Sequence, residues 1–302
     1  MRYLLLSGFI LFSGFVTAQS ALNNTRRLVI ATYQYGDNTR ITNIEPFAAH
    51  FSEAAEVKTE VKSYATVHEL LEAMKKNEVD VAFINTFGYL LSREVTQAYE
   101  ISAALHLPKE AASVYRSVMV SPKANRTTIL KDAVDRAGDN YLVLVSPGST
   151  SGNLVPRLKL ASMLPDDPEK FFVEVQYAER HDAALKLALE EKFAIASCGS
   201  DEYYKLGADT ARFDLLWKSE PIQLGPVLVK KTLSENLKIS LQKALLALDE
   251  QNPEALSAIK EGWTEARPAD RYMIITPEYY EGLILLAGDK AKALRIIKKF
   301  AR

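Results

Sequence analysis

The sequence predicts an α/β fold of mixed, mostly parallel sheets flanked by helices on both faces. Strand-like and helix-like segments alternate along nearly the whole chain. The strand-like runs are short and continuously apolar, the pattern of strands covered on both sides. The composition, 48% hydrophobic and 25% charged, is that of an ordinary globular chain with enough apolar surface for one or two cores.

Taken in order, residues 28–33 (Leu-Val-Ile-Ala-Thr-Tyr) read as a buried strand. Thr42 and Glu45 form a capping-box pair, with Pro46 early in the helix that follows. Val57, Thr59 and Val61 alternate as a strand. A second capping box, Thr66 with Glu69, precedes Leu70, Leu71 and Met74. Residues 79–84 read as another buried strand that ends in the polar pair Asn85-Thr86. Further strands are expected at 115–120, 141–145, 171–175, 193–197, 213–217 and 226–229, and helices at 152–164, 182–191, 234–249 and 253–260. In the last of these Asn252 caps and Pro253 takes the first helical position. Residues 289–302 differ: Lys290, Lys292, Arg295, Lys298, Lys299 and Arg302 stand against one acid, with Leu294, Ile297 and Ala301 on one face of a basic terminal helix.

The first residues read as a targeting segment. Arg2 supplies the positive charge, residues 3–16 are apolar but too few to span a bilayer, and Val16-Thr17-Ala18 offers small residues before a cut after Ala18. Export to a periplasm-like space follows as the expectation, the other reading being an N-terminal anchor. The single cysteine, Cys198, permits no internal disulfide, and no cysteine follows the expected cut, so no lipid anchor is implied. A net charge of -1 points to no nucleic-acid partner. His50, His68 and His106 show no metal-ligand spacing, and no cofactor is implied.

The segment Ser146-Pro147-Gly148-Ser149-Thr150-Ser151-Gly152 lies between a strand-like and a helix-like run. A helix start offers unpaired N–H groups and a partial positive charge, and three hydroxyls add rotatable donors. Glycines at 148 and 152 let the backbone come close. The chemistry suits a tetrahedral oxyanion held by neutral donors. The same composition also suits an ordinary turn with one serine as cap. A phosphate-binding P-loop is excluded, since Asn153 follows the second glycine, and a nucleophile elbow would need serine where the chain has Thr150.

These residues carry a resemblance. Gly148-Ser-Thr-Ser-Gly-Asn-Leu-Val-Pro156 resembles the Ser-Thr-Ser-Gly-x-Leu-Val-Pro segment of phosphate/phosphite/phosphonate-binding proteins of ABC transporters. Val79-Asp-Val-Ala-Phe83, His181-Asp-Ala-Ala-Leu185, Trp217-Lys-Ser-Glu-Pro221, Gly225-Pro226 and Leu233-Ser-Glu235 agree with that family in order and spacing. The resemblance implies a two-lobed type II periplasmic binding fold with the ligand in the cleft between lobes. Residues 19–115 with 222–288 would form the first lobe and 116–221 the second, with crossings near Tyr115–Arg116 and Pro221–Gly225. The oxyanion would fall to Ser149, Thr150, Ser151, Gly152 and His181. Asp201 matches one of the acids by which relatives hold an amine. The second acid is replaced by Gly225, a tyrosine by Ile84, and another tyrosine has no clean match, Tyr64 being displaced from Thr66 or Val67. The anion end of the pocket is thus expected to be kept and the specificity end rebuilt.

Strand-end logic adds Tyr35, Asn85 and Thr86 as cleft residues of the first lobe. Cys198 reads either as a small buried residue or as a thiol contact for a soft oxyanion such as arsenite. His181 reads as an anion donor that gains a proton more readily once ligand is bound. The expected function is capture of a phosphorus-type oxyanion by a monomer that serves an ABC transporter permease. The alternatives are a sensory subunit for a membrane kinase and a secreted hydrolase using Ser149 or Ser151 with His181 and Asp182 or Asp201.

Overall fold

The computed structural model describes residues 27–111, 115–191 and 193–302. The expected export segment lies outside the described residues. The chain begins with β1 (Leu28–Tyr33), α1 (Ile41–Ala54), β2 (Thr59–Tyr64), α2 (Val67–Lys75), β3 (Val81–Phe83), α3 (Thr86–Val95) and β4 (Tyr99–His106). It crosses over into β5 (Ser117–Pro122), α4 (Leu130–Asp135), β6 (Tyr141–Leu144), α5 (Val155–Ala161), β7 (Glu174–Tyr177), α6 (His181–Glu190), β8 (Ala194–Gly199), α7 (Ser200–Lys205) and β9 (Phe213–Lys218). It returns through β10 (Pro226–Lys230), α8 (Glu235–Leu246), α9 (Leu248–Gln251), α10 (Pro253–Gly262), β11 (Arg271–Met273), α11 (Glu281–Leu285) and α12 (Lys290–Phe300).

Two sheets result, one ordered β11-β4-β10-β3-β1-β2 and one ordered β7-β6-β8-β5-β9. In the first, β1 runs parallel to β2 and β3; in the second, β6 runs parallel to β7 and β8. A reversed strand is threaded into each: β10 between β3 and β4, and β5 between β8 and β9. Most strands therefore point one way while the ladders are mixed. These reversed strands stand beside the two crossings, so the lobes are joined through the middle of each sheet.

Helix α5 packs on both sides. Leu160, with Leu164 just past the helix, joins the core beneath the second sheet, while Val155, Leu158 and Ala161 share a cluster with Phe87, Leu90, Ile296 and Ile297. Helix α12 makes its main helix contacts with α3 and α5. Its buried face is Ala293, Ile296 and Ile297, so the expected stripe of Leu294, Ile297 and Ala301 is corrected: Leu294 and Ala301 are half-buried. A helix wedged between two others buries the stripe that faces both.

Other corrections are local. Helix α1 is not started by the Thr42–Glu45 box. Its cap position is Arg40, left-handed at φ 60 with no side-chain cap. The Arg40 amide is instead taken by Asn38 Oδ1 at 2.7 Å, and its long side chain turns inward. The second box forms in half: the amide of Glu69 donates to Thr66 Oγ1 at 3.1 Å, while Glu69 Oε2 accepts from the amide of Ala65, one residue before the cap, at 3.2 Å. Strand β7 starts later than expected because Phe172 is buried in the core before the strand begins. Strand β4 was not read from the sequence; it pairs with β10 and β11.

Candidate functional site

A cavity of about 740 Å³ opens between the lobes, lined by Tyr33, Tyr35, Arg40 and Asn85 from one side and by residues 146–151, His181 and Asp201 from the other. The anion loop is built by local constraints. Ser149 stands at the cap position and its Oγ accepts from the amide of Gly152 at 3.0 Å. One wide turn, Thr150–Leu154, then leads into α5. Gly152 is forced by packing, since any Cβ there would collide with Val145. Asn153 donates to the Pro147 carbonyl at 2.8 Å and accepts from Arg157 Nε at 2.7 Å. Arg157, 1% exposed, forks onto Glu169 at 2.7 and 3.0 Å and reaches Tyr177 Oη at 3.0 Å. Burial works against charge on Glu169, yet its bonds to Arg157 hold the carboxyl down to about 2. The amides of Thr150 and Ser151 stand in the open first turn, where no intrahelical carbonyl can reach them.

The first lobe meets this loop directly. Asn85 Nδ2 donates to the Gly148 carbonyl at 2.9 Å while its Oδ1 caps α3 through the Gly88 amide at 2.7 Å. The Phe87 amide donates to Thr150 Oγ1 at 3.0 Å. On the other wall, the Gly199 amide donates to His181 Nδ1 at 3.0 Å, which makes Nε2 the proton-bearing nitrogen of the neutral ring. Burial lowers the His181 pKa, with Asp201, Glu202 and Asp182 pulling the other way. The His181 amide donates to Tyr35 Oη at 3.3 Å, and burial pushes that phenol up to about 12. Asp201 Oδ2 accepts from Thr264 Oγ1 at 3.1 Å, another bond from lobe to lobe.

Of the residues expected from sequence, Ser149, Thr150, Ser151, His181, Asp201, Tyr35 and Asn85 line the cavity together. Gly152 and Thr86 do not. The Gly152 N–H is already taken by Ser149, and Thr86 Oγ1 donates to the Gln223 carbonyl at 2.6 Å. Cys198 lies in the core with Val118, Ala184 and Ala196, away from the cleft, and burial raises its thiol pKa; this removes the soft-oxyanion contact. Ile84 is buried against Gly88, and a side chain at Gly225 would run into the backbone of Ile84 and Asn85.

Sequence reasoning missed Arg40, Tyr115, Thr264 and Glu265, which also line the cavity. Tyr115 is buried, hydrogen-bonded to Ser151, and its phenol is pushed well up by burial. Burial also raises the Glu265 carboxyl, against the pull of Arg40. The strand-end logic that found Tyr35 extends to Arg40 five residues on; Glu265 carries no sequence signal. For a hydrolase the pieces are misplaced. Asp182 holds Arg180 at 3.0 and 3.2 Å, Asp201 holds Thr264, and His181 Nδ1 faces an amide rather than an orienting carboxylate.

The fold is similar to that of several solved binding proteins. A binding-protein component of an ABC phosphonate transporter from Pseudomonas aeruginosa superposes with a TM-score of 0.66 at 17% identity, covering 91% of this chain and 95% of that one. PhnD1 from Prochlorococcus marinus, in complex with methylphosphonate, gives 0.67 at 15% identity, covering 88% and 98%. The periplasmic aliphatic sulphonate-binding protein SsuA from Escherichia coli gives 0.56 at 12% identity, covering 88% and 91%. No match was found among the curated proteins. At these identities the neighbours establish the type II periplasmic binding fold. The model of the ABC transporter phosphonate periplasmic substrate-binding proteins matches residues 30–273, most of the sequence, and to that family this chain belongs.

Proposed function

We propose that the protein captures a phosphorus-type oxyanion (phosphonate, phosphite or phosphate) in the periplasm, without catalysis, and presents it to an ABC transporter permease. The observation that carries this reading is the open first turn at Thr150 and Ser151, flanked by the Ser149 hydroxyl and facing the same cavity as His181. Backbone dipoles and hydroxyls hold an oxyanion strongly while adding no fixed charge that would retard release. Residues 116–221 would turn against 27–115 and 222–288 about the crossings at 115–116 and 221–225, as hinged lobes do. Tyr35–His181 and Asp201–Thr264 would be the contacts made on closing.

A thermal-shift panel of phosphate, phosphite, methylphosphonate, sulfate and methanesulfonate tests the reading. The expected result is a melting temperature that climbs with the concentration of a phosphorus oxyanion, as mass action requires. A rise with methanesulfonate alone would move the protein to the sulfonates.

A further inference from the structure

We propose that the cleft holds a second anion subsite built on Arg40, so that the ligand is an oxyanion with a second acidic group on a short carbon chain, a phosphonocarboxylate. This rests on the oxyanion reading of the Ser149–Ser151 loop and extends it to the other end of the ligand.

Arg40 is 4% exposed, yet it lines the cavity. Its Nε donates to the Gly262 carbonyl at 2.7 Å and its Nη1 to the Tyr33 carbonyl at 3.3 Å. A guanidinium has five N–H donors, so these two bonds leave a forked edge without an acceptor among the described residues. Two neighbouring rings pack against the group, with Cζ 4.6 Å from the Tyr33 ring centroid and 4.5 Å from that of Trp263. Aromatic faces steady the cation without using its N–H donors. A buried charge supported by two carbonyls and two rings remains short of a counter-ion. Glu265 makes no ion pair with Arg40 among the described residues, and Arg40 pulls down a carboxyl that burial raises.

The spacing suits a single ligand. Arg40 Cζ is 5.6 Å from the Tyr35 ring centroid, which is itself 5.9 Å from the His181 ring. Arg40 and His181 both neighbour the Tyr35 ring, so a carboxylate at the one and an oxyanion at the other would be joined by a short carbon chain. The cavity has room for such a molecule. Asp37, Glu179, Asp201, Glu261 and Glu265 also line it, so an amine is the competing end group, and the test includes one.

Calorimetric titration of the full chain with ethylphosphonate, 3-phosphonopropionate and 2-aminoethylphosphonate decides. The expected result is about tenfold tighter binding of 3-phosphonopropionate than of ethylphosphonate, the gain of one charge-assisted fork. Arg40→Gln should collapse that ratio towards one, and Arg40→Lys, which keeps the charge but not the fork, should retain part of it. Equal binding of the two in the native protein, tighter binding of 2-aminoethylphosphonate, or a ratio untouched by Arg40→Gln would overturn the subsite. The native comparison stands even if a variant fails to fold. If no phosphonate binds, the phosphorus reading fails, and ethanesulfonate against 3-sulfopropionate becomes the deciding pair. Absence of a preference there overturns Arg40 as a subsite.

Discussion

Tyr35 and His181 meet across the cleft: the amide of His181 donates to the Tyr35 hydroxyl at 3.3 Å, and the two rings lie 5.9 Å apart. One residue lies just past the first strand of one lobe and the other begins a helix of its neighbour. Tyr35→Phe removes the acceptor and keeps the ring. Loss of about 1 kcal/mol of closed-state stabilisation is expected, a five- to tenfold weaker oxyanion complex. Stopped-flow fluorescence should find it in the dissociation rate, because the contact forms after the ligand enters.

The depressed pKa of His181 gives the ligand-free protein a pH signature. The native ring binds fewer protons than the same ring in the unfolded chain, whose pKa is about 6.5. Its share of stability is therefore present above that value and lost as pH falls below it. Melting curves from pH 7.5 to 5 should decline on acidification in the native protein and decline less in His181→Gln. Parallel curves would assign the acid sensitivity to other groups. With ligand bound, the oxyanion favours the protonated ring, so His181→Ala should weaken binding more at low pH than at high pH.

Glu169 supports the anion loop from outside the cleft, through Arg157 and Asn153. Glu169→Gln leaves a buried guanidinium short of its partner. The expected cost is about 2–3 kcal/mol in urea unfolding, less than for a fully buried pair because Glu169 is half-exposed. Its lowered pKa adds a second readout. The native protein should lose stability as pH falls from about 4.3 towards the folded value, and that part of the acid transition should be missing in the variant.

Restoring the acid that relatives carry near the Gly-Pro return should fail. Gly225→Asp drives a Cβ into the backbone of Ile84 and Asn85, with an expected cost of about 1–3 kcal/mol or more from overpacking. A denaturation midpoint equal to that of the native protein would contradict this. No tighter binding of an aminophosphonate is expected, because the side chain cannot occupy the place where the chain before β10 closes on Ile84 and Asn85.

The strand-and-helix rhythm was legible because buried parallel strands leave short apolar runs such as residues 28–33, which form β1 over the same span. The loop at 146–152 was legible as a candidate site because serine, threonine and glycine gather there at a helix start, and its residues 146–151 do line the cavity. What escaped the sequence depended on distant partners. Arg40 reads as a solvated residue until Tyr33 and Trp263 enclose it. Glu265 enters the cavity only through the return of the chain after α10. Strand β4 mixes tyrosine, glutamate, serine and histidine with alanines, a pattern that becomes a strand once β10 and β11 pair on either side. Gly152 and Thr86 show the opposite error. Their polar groups face the expected way in sequence but are used up by Ser149 and by Gln223.

The last turn of α12 sits on the seam between the lobes. Phe300 lies 5.7 Å from the Phe87 ring and 5.0 Å from the guanidinium of Arg157, its carbonyl takes His68 Nε2 at 2.9 Å, and Lys299 holds Glu169 at 3.0 Å. A fluorophore attached at this turn would report any change in how the two lobes meet, from a place outside the cleft.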